Sequence, residues 1–289
     1  MDKHLFPNEI DSLKWGLYNF DGIEFDVRIA SDGIPVIHHD PTTASGEIIE
    51  KTPSTQLANK RVPLLHEMLN EEFILKCIRG EIPNKTLWLE IKTPCRKKYN
   101  KFAADPETFA EIITDQISAT RPDLNTIRII GFNKSYLQAF SKATPFKTYP
   151  ILPTINECVS ERMMILRALP GFFHHSLLWH AKKAKELGFR GLLFSQLYVK
   201  GILSLRHVRY EKLLRLQSNQ FELGTDTKTL QEEQEFRQIH RFTDLTTPHP
   251  RHATNGEGRI IAHRGSGIKG TTLPQKTWEE FQASIKELA

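Results

Sequence analysis

Cysteine is scarce: the 289 residues contain only Cys77, Cys95 and Cys158. They form no CxxC pair and stand at no Cys/His spacing that would hold zinc. An odd, scattered set also argues against a disulfide framework and points to reduced thiols in a cytoplasmic compartment. No run approaches the roughly 18 uninterrupted apolar residues that a membrane-spanning helix needs. The opening residues, MDKHLFPNEIDSLK, place no apolar stretch behind their charges, so no secretory leader is expected. Low-complexity segments are missing too. With hydrophobic residues at 39% and charged residues at 25%, the chain is neither disordered nor collagen-like. The excess of positive charge is small, +5. It suits an anionic ligand such as a phosphate ester. Without a recognition motif or an aromatic-rich strand platform, no nucleic-acid partner is expected.

What is present is alternation. Runs rich in β-branched and apolar residues read as strands at 22–28 (GIEFDVR), 86–92 (TLWLEIK), 127–132 (IRIIGF), 146–151 (FKTYPI), 190–195 (RGLLFS), 221–225 (FELGT), 242–247 (FTDLTT) and 259–263 (RIIAH). Most are separated by stretches such as PETFAEIITDQISA and KSYLQAFSKA. There apolar residues recur every three or four positions, as an amphipathic helix requires. Strand–helix alternation predicts a parallel sheet covered by helices. Eight such units in about 250 residues fit a (β/α)8 TIM barrel better than two smaller domains. Residues 1–289 therefore read as a single barrel. The polar segment 248–258 (PHPRHATNGEG) is the best linker, and it leads to a last strand–helix unit, 259–289.

Glu24 and Asp26 stand two apart in GIEFDVR and share one face of a strand. Glu90 and Lys92 repeat that spacing in LWLEIK. Three carboxylates converging from two strands make an oxygen-only site suited to Mg2+ or Ca2+. The same pattern also fits a solvated strand face or a carboxylate–lysine ion pair. His38, His39 and Asp40 follow a short strand in VIHHDPTT. His263 and Arg264 close another, in RIIAHRGSG. A histidine at the C-terminal end of a barrel strand is placed for proton transfer. An arginine beside it offers a planar fork for phosphate oxygens. Taken alone, H-R-G reads as a basic surface turn. Arg96, Lys97, Lys98 and Lys101 follow LEIK; they read as a solvated loop, or as a rim that steers phosphates or touches a membrane surface peripherally.

Together, I-E-F-D-V-R, D-G-I-P-V-I-H-H-D-P-T, R-V-P-L-L-H-E-M-L, L-E-I-K and I-A-H-R-G resemble the glycerophosphodiester phosphodiesterase family. That family belongs to the phosphatidylinositol-specific phospholipase C-like barrels. The resemblance implies that Glu24, Asp26 and Glu90 bind a divalent metal, Mg2+ or Ca2+. It implies His263 and His39 as the general acid/base pair and Arg264 as the phosphate holder. Lys92 would support the phosphate or neighbouring substrate hydroxyls. The implied reaction is hydrolysis of a small-molecule glycerophosphodiester to glycerol 3-phosphate and an alcohol. Alternatives are a lysophospholipase D or sphingomyelinase D-like lipid phosphodiesterase, and a non-catalytic fragment of a tandem phosphodiesterase.

In the family, H-R-G ends the first strand; here it comes last. The barrel is therefore expected to be circularly permuted, with the family's first strand C-terminal. Two segments stand where the family carries a P-E-N-T helix start: Pro7-Asn8-Glu9-Ile10 and Pro274-Gln275-Lys276-Thr277. Three arrangements accommodate this redundancy. The last strand completes its own barrel with one helix displaced, or it completes a neighbour's barrel in a strand-swapped homo-oligomer. In the third, the chain is a piece of a longer tandem protein and His263 lies far from Glu24.

Overall fold

A computed structural model describes residues 2–93, 104–152, 177–200, 210–217, 221–245 and 251–289. In chain order, β1 (Lys3–Leu5) precedes a first helix, Ile10–Asn19, and then β2 (Gly22–Ile29). Along β2, Ile23, Phe25, Val27 and Ile29 alternate with Glu24, Asp26 and Arg28, and all are buried. A strand buried on both faces belongs inside a helix-covered parallel sheet, one face toward the helices and the other toward a lumen. In β4 (Thr86–Ile91), likewise, Leu87, Leu89 and Ile91 alternate with Trp88 and Glu90.

Seven further strands join β2 and β4 in one sheet: β5 (Ile127–Gly131), β6 (Lys147–Pro150), β7 (Gly191–Phe194), β8 (Glu222–Thr227), β9 (His240–Thr243), β10 (Ile260–Ala262) and the short β3 (Pro35–Ile37). The sheet runs β6-β5-β4-β2-β10-β9-β8-β7, while β3 lies antiparallel on β2. Each neighbouring pair along that path is parallel. A parallel bridge between Ile151 and Leu193 nearly closes the ring. The result is a nearly closed eight-stranded parallel barrel. Each predicted run overlaps a strand. The strand expected at 242–247 instead spans His240–Thr243, because the polar His240 and Arg241 pair with Gly224 and Thr225. Burial lowers the His240 pKa, and its Nε2 lies 3.2 Å from Glu222; the Arg241 guanidinium lies 3.5 Å from Glu257.

The last barrel strand in the sequence lies directly beside the first. Ile261 pairs with Gly22 and Ala262 with Ile23, while on the other side Ile260, Ile261 and Ala262 pair with Arg241, Phe242 and Thr243. The C-terminal strand thus sits in the barrel of its own chain. Asp21 holds its entry: the carboxylate accepts the backbone N–H of Ala253 at 2.9 Å and of Ile260 at 2.8 Å. The lumen below is solid. Trp88 packs on Tyr149 and Phe242, each at 5.1 Å between ring centroids, with Ile130, Leu193 and Ile261 around them.

The two candidate helices take different places. The first helix lies against β2 and the loop after β10. A Cβ on Gly16 would stand 2.5 Å from the Gly265 carbonyl and 2.9 Å from Ile23. The C-terminal helix, Gln275–Leu288, packs outside it through Phe281, which meets Trp15 and Tyr18 edge-on at 5.2 and 5.4 Å. An antiparallel ribbon of β1 with β11 (Thr271–Leu273) ties the two ends of the chain. Among the described residues no helix is long and apolar enough to cross a membrane.

Gly16→Ala should therefore lower stability by about 1–3 kcal/mol, the usual cost of overpacking against backbone. Gln282→Ala, on the exposed side of the C-terminal helix, should change it by less than about 0.5 kcal/mol. Urea midpoints measure both, and equal effects would contradict the inner position of the first helix.

Candidate functional site

At the C-terminal ends of β2 and β4 the lumen face turns acidic. Asp26 and Glu90 are register partners on adjacent strands, and Glu24 lies two residues before Asp26 on the same face. Oxygen atoms of Glu24, Asp26 and Glu90 all lie within 4.8 Å of one another, and all three side chains are buried. Buried anions this close need compensation. Part comes from Lys92, which pairs with Glu90 and lies 3.1 Å from Asp26 Oδ1. Part comes from the far end of the chain: Arg264 Nε lies 3.2 Å from Asp26 Oδ2, and the Arg264 backbone N–H donates to Glu24 Oε2 at 3.1 Å.

The compensation is unequal. Burial, then the Asp26 charge, push the Glu24 carboxyl up to about 8. Burial also raises Glu90, against the pull of Lys92. For Asp26, burial would raise the carboxyl, but Lys92, Arg264 and other neighbours outweigh it and hold it below the usual carboxylate range. Glu24 Oε1 and Asp26 Oδ1 are buried with no hydrogen-bond partner among the described residues. Three converging carboxylates with unsatisfied oxygens fit a hard divalent cation bound through oxygen.

His263 follows β10 and faces this cluster, with Nε2 3.5 Å from Glu24 Oε2. Its other nitrogen is held by Asp244: Nδ1 lies 2.7 Å from Asp244 Oδ1. Burial would lower the His263 pKa, but Glu24 and Asp244 outweigh it and raise it. His39 projects from the loop after β3. Its carbonyl accepts Nε and a terminal nitrogen of Arg28, at 3.1 and 2.7 Å, and Arg28 is itself ion-paired with Glu50 at 2.7 Å. Its Nδ1 lies 2.8 Å from Asp40 Oδ1. Burial, then Lys92, lower His39 to about 4, with Asp26 and Arg264 also within electrostatic reach. His38 instead turns to the Thr42 carbonyl at 3.2 Å.

The seven residues to which the resemblance gives roles, Glu24, Asp26, His39, Glu90, Lys92, His263 and Arg264, thus lie at one end of the barrel. Arg96, Lys97, Lys98 and Lys101 lie outside the described residues. Two participants were not singled out. Asp244 directly follows β9, where a carboxylate at a barrel strand's C-terminal end was the available signal; the strand boundary read from sequence hid it inside the strand. Asn8, whose side-chain amide donates to Asp26 Oδ2 at 2.7 Å, lies in the degenerate helix start Pro7-Asn8-Glu9-Ile10.

The model of the glycerophosphoryl diester phosphodiesterase family matches residues 18–193, more than half of the chain. That span contains Glu24, Asp26, His39, Glu90 and Lys92 but ends before His263 and Arg264. No curated protein matches by sequence. Among solved structures, the chain is similar to a glycerophosphodiester phosphodiesterase from Parabacteroides distasonis, at 14% identity and TM-score 0.53 over 91% of this chain and 84% of that one. One from Thermotoga maritima gives 14% identity and TM-score 0.53, over 82% of this chain and 87% of that one. A phosphodiesterase from Oleispira antarctica, solved with the product sn-glycerol-3-phosphate, gives 19% identity and TM-score 0.52, over 76% of this chain and 78% of that one. At these identities the likeness bears on the fold, which in each case extends well beyond residue 193.

Asp244→Asn should lower the His263 pKa, because it removes an anion that favours the imidazolium. The folded His263 value lies above the unfolded value of about 6.5. Its protonated ring therefore contributes stability in full below about pH 6.5, and that contribution is lost as pH rises through the folded value. The stability deficit of Asp244→Asn should be greatest near pH 5.5 and shrink toward pH 8, where that term fades. NMR titration of the His263 ring in metal-stripped protein checks the first point; an unchanged midpoint would contradict the Asp244 contact.

Proposed function

The chain belongs to the glycerophosphoryl diester phosphodiesterase family, and from that premise we propose that it hydrolyses glycerophosphodiesters to glycerol 3-phosphate and an alcohol, with a divalent metal and two histidines. Its motif order would be a permutation of the family's, with the first strand carried at the C-terminus. One observation carries the proposal: His263 and Arg264, from the end of the sequence, converge on Glu24, Asp26 and Glu90 from its beginning.

In this reading Glu24, Asp26 and Glu90 hold the metal, Mg2+ or Ca2+. Bound there, a divalent cation neutralises non-bridging phosphate oxygens and draws charge from phosphorus. The remaining tasks fall to the chain's own groups. Arg264 presents a guanidinium beside Asp26, where it can take a phosphate oxygen. Lys92, kept protonated because Asp26 and Glu90 outweigh its burial, adds a second cation for the phosphate or an adjacent hydroxyl. Attack on phosphorus releases a proton from the nucleophile, and departure of the alkoxide consumes one. In the metal-free site burial and Lys92 hold His39 down to about 4, so it is neutral near pH 7 and can accept a proton, while Glu24 and Asp244 favour the protonated form of His263. Two imidazoles whose environments drive their pKa values apart form an acid/base pair. Asp244 fixes His263 Nδ1 and leaves Nε2 facing the acidic cluster, the orienting role a carboxylate plays toward a catalytic imidazole.

Release of glycerol 3-phosphate from glycerophosphocholine in the presence of Mg2+ or Ca2+ tests the proposal. EDTA should abolish it. His39→Ala and His263→Ala should each reduce kcat by about 10²–10⁴-fold, the usual worth of a general acid or base. Turnover that persists in His263→Ala would remove the C-terminal motif from the reaction.

A further inference from the structure

We propose that Asn8 is a positioning residue for the acidic cluster: its amide fixes the Asp26 carboxylate so that one oxygen is left for a divalent cation. This rests on the reading of Glu24, Asp26 and Glu90 as a cation site.

An asparagine just before a helix ordinarily caps it. Here the first helix begins at Ile10 with Glu9 as its N-cap, and no side chain caps it. The amide of Asn8 is committed elsewhere. It is buried, at 5% exposure, and both its polar atoms go to Asp26. Nδ2 donates to Asp26 Oδ2 at 2.7 Å, and Oδ1 accepts the Asp26 backbone N–H at 3.3 Å. Arg264 Nε lies 3.2 Å from the same Oδ2. Oδ2 is thereby occupied. Oδ1 makes no hydrogen bond among the described residues and faces the Lys92 ammonium at 3.1 Å, an ion pair whose place a divalent cation would take. An amide can orient a carboxylate without adding charge, so it does not compete with a cation as an ammonium would.

The backbone adds a second constraint. The described residues include five non-glycine positions with positive φ, and two of them are Asn8 at 65° and Arg264 at 51°. The Asn8 N–H donates to the Arg264 carbonyl at 3.1 Å. Left-handed non-glycine backbone is held only where its surroundings impose it, and it gathers at functional sites. Asn8 therefore ties three separate parts of the sequence together: its own N-terminal segment, the ligand strand β2 and the turn after β10.

The test is titration of Mg2+ and of Ca2+ into metal-stripped protein by calorimetry, with unfolding of the metal-free variants followed in parallel. Asn8→Gly keeps the left-handed backbone accessible and removes the amide. Asn84→Gly is the control, since Asn84 shares the left-handed conformation (φ 63°) but precedes β4 at the opposite end of the barrel. Asn8→Gly should weaken cation affinity by about 10- to 100-fold, as loss of a hydrogen bond to a metal-ligating carboxylate does, while Asn84→Gly stays within about twofold of wild type. If Asn8→Gly does not fold, Asn8→Ser, whose hydroxyl is too short to span both Asp26 contacts, should show the same loss. Affinity unchanged in Asn8→Gly or Asn8→Ser, with Asp26→Asn unable to bind, would overturn the role of Asn8 alone. A wild-type protein that binds neither ion, or an Asp26→Asn variant that binds as well as wild type, would overturn the cation reading and this inference with it.

Discussion

Three buried carboxylates with oxygens within 4.8 Å of one another are unstable unless positive charge or a proton is brought to them. In this barrel Lys92 supplies one such charge from just beyond the strand that carries Glu90. The rest arrives from 240 residues away in sequence, as the guanidinium and backbone N–H of Arg264 and the imidazole of His263. Seating β10 between β2 and β9 and balancing the acidic cluster are therefore one event. A strand of three residues offers little ladder of its own; the charges at its end, and the Asp21 clamp at its start, give it a defined place.

The order of elements along the chain has a structural consequence. Parallel strands must be joined by crossovers, and the position between β2 and β9 can be filled from either end of a closed ring without changing the ring itself. Here the strand comes from the C-terminus and the helix that covers it from the N-terminus. The loop carrying Arg264 and the helix carrying Gly16 approach so closely that neither backbone leaves room for a side chain: a Cβ on Gly265 would stand 2.5 Å from the Ser12 carbonyl. The C-terminal helix, which the sequence offers as an equal candidate, has no such approach and lies on the outer surface against Trp15 and Tyr18.

Much of this was legible from residue pattern. Period-two alternation in GIEFDVR and TLWLEIK located the acidic faces, because a strand buried on both sides has little other reason to carry Glu24, Asp26 and Glu90. Helices such as Pro106–Ala119 were legible to the residue, since Pro106 follows a capping aspartate whose side chain accepts the Thr108 N–H. Other features were not. Asp244 and His263 are brought together by strand adjacency, which no local pattern records. The start of β9 was misplaced because His240 and Arg241 look like loop residues until Glu222 and Glu257 are seen beside them. Asn8 stood in a recognisable helix start, but its amide acts on a strand rather than on the helix. The choice between the two helices depends on a glycine–glycine approach that appears only in three dimensions.

The central claim is that one chain supplies both halves of the site. Complementation tests it most directly. Glu24→Gln and His263→Ala each disable one half, and the two variants can be unfolded together and refolded as an equimolar mixture. If each barrel is completed by its own C-terminal strand, the mixture releases glycerol 3-phosphate no faster than the two variants refolded separately. Recovery of a substantial share of wild-type turnover would mean that strands are exchanged between chains, and would contradict the account.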